Sequence, residues 1–147
     1  MENDKARIYR SSESDEIYSN LRKNDGPLKG IWSSEIYVLA MALGFAEGKK
    51  TPIEGGSSQV SKPDDFCDSL IPLTNAISVF ENEGEIEILK RSNSEIFKIS
   101  DEYANTGITI LEEKYFGNEN NFILDLHNEI IDIFEQKNIL EKIKKLE

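Results

Sequence analysis

A chain of 147 residues, 38% hydrophobic and 31% charged, holds enough apolar material for one core and little for a second. A formal net charge of −11, one cysteine and one histidine argue against a disulfide scaffold, a structural zinc site and a uniformly basic nucleic-acid binder. No apolar run approaches the ~18 residues of a membrane span, and "MENDKARIYRSSESDE" lacks a signal-peptide core, so a cytoplasmic chain without membrane contact is expected.

Residues 1–11 read as a loosely docked end that Ile8 and Tyr9 could pin. In "SESDEIYSNLRKNDG", serine and acidic residues precede Ile17 and Leu21 at i, i+4, and Gly26-Pro27 follows, which predicts a short first helix. "WSSEIYVLAMALGFAEGKK" is the clearest element. Ser33 or Ser34 is placed to cap it, and Ile36, Leu39, Ala40, Leu43 and Gly44 recur at the spacing of a buried helical face. Ala40, Ala42 and Gly44 are small enough to admit a neighbouring helix closely.

Residues 49–65, "KKTPIEGGSSQVSKPDD", read as one long flexible loop because prolines, paired glycines and serines dominate it. A third helix is expected within "DDFCDSLIPLTNAISVFENEG", with Pro72 either opening its main turn or kinking it. "EIEILKRSNS" fits a helical turn or a strand-like run. "SNSEIFKISDEYANTGITILEEKYFG" aligns Ile96, Ile99, Tyr103, Gly107, Ile110 and Leu111 on one side of a long helix. "NFILDLHNEIIDIFEQKNILEKIKKLE" spaces Ile123, Leu126, Ile130, Ile133 and Leu140 for a last one. The expected fold is all-α: a single compact helical domain over residues 1–147, with five to six helices.

The charge is uneven. Residues 1–61 carry 8 Lys/Arg against 9 Asp/Glu, whereas residues 62–147 carry 9 against 19. The acidic C-terminal part repels a phosphate backbone within a Debye length, so direct DNA contact there is disfavoured. Arg7, Arg10, Arg22, Lys23, Lys29, Lys49 and Lys50, interleaved with Tyr9, Tyr18 and Trp32, form the only stretch suited to nucleic acid, and even it has no net positive charge.

"YVLAMALGFAEGKKTP" invites comparison with a phosphate-binding loop. The comparison fails on spacing, since three residues rather than four separate Gly44 from Gly48, and Lys50 separates Lys49 from Thr51. It fails on context too: a phosphate loop opens a helix, and this segment closes one, where carbonyls favour cations. Gly48 reads instead as a left-handed cap.

His127 has no accompanying nucleophile motif, and acidic neighbours disfavour a thiolate at Cys67. "PDDFCD" and "ENEGEIE" lack the calcium-loop spacing. No catalytic, metal or cofactor set is therefore predicted.

"NDGPLKGIWSSEIYVLAMALGFAEGKKTPI", followed by "IFKISDEYANTGITILEE", is similar to the Dnd system-associated protein 4 family, small bacterial proteins encoded beside DNA phosphorothioation genes. The shared features are a helix of the type [YF]-V-[LF]-A-x-A-L-G-F at Tyr37 to Phe45, a basic segment at Gly48 to Pro52, and an E-E-Y-A-N-x-G helix at Asp101 to Gly107. Asp101 replaces one of the acidic positions. The resemblance implies a role in DNA modification or anti-phage defence and carries over no catalytic residue. It marks the two lysines and the Tyr-Ala-Asn segment as a surface for a partner protein or DNA.

The resulting expectation is a non-enzymatic accessory protein that works through protein contacts made by Trp32, Lys49, Lys50, Thr51 and Asn105. Two alternatives stay open: an acidic DNA mimic that occupies a DNA-binding site on a restriction or defence protein, and a weak DNA binder using the N-terminal basic residues.

Overall fold

A computed structural model describes residues 7–61, 63–90 and 93–117, together with 127, 128, 131 and 132. Four α-helices and a two-stranded antiparallel sheet make up the described part, with three short 3-10 turns between them. The all-α expectation of five to six helices is thus corrected to an α+β arrangement. Strand β1 is Ile8–Ser11 and β2 is Ser57–Ser61. The helices are α1 (Asp15–Arg22), α2 (Ser33–Glu47), α3 (Leu70–Glu81) and α4 (Asn93–Gly117).

The sheet accounts for both misread segments. β1 was expected as a loose end, and β2 lies inside the supposed long loop. Their register pairs Ile8 with Ser61, Tyr9 with Gln59, Arg10 with Ser58 and Ser11 with Ser57. The register slips between Ile8 and Tyr9, so Val60 stands without an opposite residue, as in a bulge. Ile8 and Val60 are buried, while most of β2 is solvated serine and glutamine. Strands this short and this polar carry no readable alternation; long-range pairing decides them, not local propensity.

α2 is the central helix. Ile36, Tyr37, Ala40, Met41, Leu43 and Gly44 are buried, and Val38, Leu39 and Phe45 pack at the margin. Its partner is α4, and the two cross where side chains are smallest. A Cβ on Gly44 would overlap the carbonyl of Tyr103, and one on Gly107 would overlap the carbonyl of Ala40. Each glycine therefore lets its helix rest on the other's backbone. Around the crossing, Tyr37, Met41, Leu70, Ile108 and Leu111 are fully buried. Each such side chain contributes about 1.5–3 kcal/mol.

α2 begins with the Trp32 N–H donating to Glu35 Oε2 at 3.1 Å, which places the cap at Trp32 rather than at Ser33 or Ser34. It ends as expected at Gly48, with φ 72° and ψ 26°. Lys49 N–H donates to the Gly44 carbonyl at 3.3 Å and Gly48 N–H to that of Phe45 at 3.0 Å, the paired bonds of a Schellman cap. Pro72 lies in the first turn of α3, where its missing N–H costs nothing, so it opens the helix and does not kink it. Residues 86–90 form a 3-10 turn. The helix expected over 121–147 lies outside the described residues except for His127, Asn128, Ile131 and Asp132, which are helical. No helix among the described residues is long and apolar enough to cross a membrane.

Candidate partner-binding surface

The five residues expected to contact a partner fall into two places, one at each end of α2. At ~1.5 Å per residue, fifteen helical residues separate them by about 22 Å.

At the C-terminal end, most groups are already occupied. Thr51 N–H donates to the Glu102 carbonyl at 3.1 Å, and its hydroxyl lies 2.8 Å from that of Thr106. Asn105 Nδ2 donates to the Thr51 carbonyl at 3.1 Å, while its Oδ1 accepts from Ser11 Oγ at 3.2 Å. Thr51 and Asn105 thus fasten the segment after α2, and β1 with it, onto α4. Lys50 Nζ is 3.2 Å from Glu81 Oε2 and 5.9 Å from the Tyr103 ring centroid. The Tyr103 hydroxyl donates to the other oxygen of the same carboxylate. Partial burial, then the hydrogen bond to Glu81 and that group's charge, pushes the Tyr103 phenol up. Phe45 packs edge-on to both Tyr103 and Phe80, at 5.5 and 5.1 Å. Lys49 is exposed.

At the N-terminal end, Trp32 is 56% exposed. It borders a hollow of about 320 Å³ that Ser34, Glu35, Asp65, Phe66, Cys67 and Asp68 complete. The hollow is rigidly built. Ser34 Oγ donates to the Asp65 carbonyl at 2.9 Å and accepts the Cys67 N–H at 3.2 Å, tying the 3-10 turn Pro63–Asp65 to the start of α2. Phe66 is half-buried, its ring 6.5 Å from that of Phe97. Cys67 is also half-buried. Sequence reasoning points to Trp32 as a contact residue; "PDDFCD", set aside for lacking calcium-loop spacing, supplies its companions.

A larger cleft of about 460 Å³ lies beside α1, where Glu13, Glu16, Glu54 and Glu112 meet the hydroxyls of Ser11, Ser14, Thr51 and Thr109. No lysine or arginine is among its described lining residues. Among the N-terminal basic residues, Arg10 Nε is engaged by Asp15 Oδ1 at 2.5 Å and lies over the Tyr18 ring. That hydrogen bond holds the Asp15 carboxyl below its usual range. Arg22 Nε donates to the Ile31 carbonyl at 2.6 Å.

One buried carboxyl remains. Asp101 Oδ1 accepts from the Tyr37 hydroxyl at 2.7 Å and from the Tyr9 N–H at 3.1 Å, which joins β1, α2 and α4 at one atom. Burial raises its pKa to about 7 against these two hydrogen bonds. The same burial, with the nearby carboxyl, pushes the Tyr37 phenol up. With both hydrogen bonds running between separate elements, the carboxyl acts as a structural junction.

Among the described residues, no group of three or more His, Cys, Asp or Glu is arranged to hold a metal ion. His127 is exposed. No curated protein and no solved structure matches the chain. The family model for the DNA sulphur modification system-associated protein 4 matches residues 7–143, and it spans the crossing helices, the Schellman-capped lysine segment and the hollow at Trp32. The chain belongs to the DNA sulphur modification system-associated protein 4 family.

Proposed function

We propose that this chain is a non-enzymatic accessory protein of a DNA phosphorothioation system, and that it acts by binding a protein of that system. The observation that carries this reading is Trp32, more than half exposed at the start of a buried helix. A tryptophan exposes a large apolar area that a soluble protein gains by covering, and such residues dominate interface energetics. Lys49, exposed beside the Lys50–Glu81 pair, supplies a second contact at the far end of α2, while Thr51 and Asn105 hold that segment in place. The family's association with DNA sulphur modification supplies the setting.

Co-expression of the tagged chain with each component of such a system is the test. A stoichiometric complex stable at ~150 mM salt supports the proposal. Recovery of the chain alone from every combination refutes it.

A second reading is favoured by the glutamate-lined cleft beside α1: an acidic surface that occupies the DNA site of a defence protein. That mode predicts binding which high salt abolishes, which DNA competes away, and which Trp32→Ala leaves intact. Direct retention of duplex DNA by the chain itself would refute this second reading.

A further inference from the structure

We infer that the hollow beside Trp32 is a receptor for an arginine side chain presented by the partner protein. This rests on the accessory reading above and specifies its chemistry. The walls are of two kinds. Trp32 and Phe66 contribute aromatic residues to the lining, and Glu35, Asp65 and Asp68 contribute acidic ones, with no lysine or arginine among the described lining residues. An aromatic face next to carboxylates matches a guanidinium, which stacks on an indole while donating in-plane hydrogen bonds to carboxylate oxygens.

The hydrogen bonding leaves room for such a donor. Glu35 uses Oε2 to accept the Trp32 N–H, which orients both groups, and among the described residues Oε1 is left for an incoming N–H. Ser34 is already engaged on both sides, so the floor is fixed and makes no demand on the ligand. The positive end of the α2 dipole, equivalent to about half a charge, faces the same region. Three carboxylates outweigh it, and for the same reason an anionic ligand is disfavoured. A volume of about 320 Å³ accepts one long side chain. It sits at the bottom of the ~300–1,000 Å³ range of small-molecule pockets.

Trp32 is the chain's only tryptophan, so its indole N–H gives a single resonance. The probe is N-acetyl-arginine amide, and its neutral counterpart is N-acetyl-citrulline amide, nearly the same shape without the charge. Arginine amide should shift the indole resonance saturably, and citrulline amide should not. The double variant Glu35→Gln, Asp68→Asn, checked for an unchanged melting profile, should weaken the response about tenfold. An equal response to both probes, or none to arginine amide, overturns the inference.

This titration needs no partner, which separates the two possible failures. If a protein of the modification system binds equally well to wild type, Trp32→Ala and the double variant, the arginine site falls and the accessory reading stands. If the indole titrates as expected but no such protein binds, the accessory reading falls and the site stands.

Discussion

The two ends of α2 solve opposite problems. At Gly48 the helix closes with a Schellman cap, and every residue after it up to Thr51, save Lys49, is tied by side chain or backbone to α3 or α4. At Trp32 the helix opens with its largest side chain facing solvent above an acidic hollow. One end is closed inward, the other built and left uncovered. Residue types alone suggest the reverse, because two lysines on an acidic protein attract attention before a capping tryptophan does. The difference teaches that unusual residues matter functionally only after their structural partners have been counted.

The sharpest way to break the inward end is at the crossing it leads from. Gly107→Ala or Gly44→Ala drives a methyl into the opposing backbone, and each should cost more than ~3 kcal/mol or prevent folding. Urea denaturation measures it, and a change within ~0.5 kcal/mol would show that the helices do not cross as described.

Next comes the junction between them. Asp101→Ala removes the acceptor of both Tyr37 and Tyr9 and should cost about 2–4 kcal/mol. Asp101→Asn keeps an oxygen for both donors and isolates the ionisation. In the wild type, Asp101 titrates near 7 in the fold against 3.8 for the free side chain. Between those values the unfolded chain has released a proton that the native state retains. Stability therefore declines as pH rises from about 4 to about 7, by up to a few kcal/mol, and levels off above. The asparagine variant should lose that decline; an identical pH profile in both proteins would disprove the assignment.

At the outward end the signature is inverted. Trp32→Ala should leave stability within ~0.5 kcal/mol and weaken partner binding by about 2 kcal/mol or more. A loss of stability without a loss of binding would make Trp32 a structural residue after all. The smallest effect belongs to Lys50→Met. Its half-exposed pair with Glu81 should contribute less than ~1 kcal/mol, and less still at high salt. Thermal melts at two salt concentrations measure it.

The helices were legible because their apolar spacing is long and regular: Ile36 to Gly44 on α2 and Ile96 to Leu111 on α4 mark faces that are in fact largely buried. The roles of Gly44 and Gly107 in close packing, and of Gly48 as a cap, also followed from residue type and position. β1 and β2 did not, because "IYRS" and "SSQVS" offer one or two apolar positions each and acquire meaning only when they meet across some fifty residues. The hollow escaped for a related reason. Trp32 and Glu35 lie some thirty residues from Asp65 and Phe66, and the hydrogen bonds through Ser34 help bring them together.

The small sheet also has a consequence in time. A helical bundle folds from neighbours in sequence, and its rate reflects that. Here Ile8–Ser11 find their strand partner only at 57–61 and their carboxyl anchor only at Asp101. During synthesis this strand can pair with β2 once residue 61 is available, but its anchor follows only with Asp101. Docking of β1, a contact of high sequence separation, should therefore come later than the formation of α2 or α4.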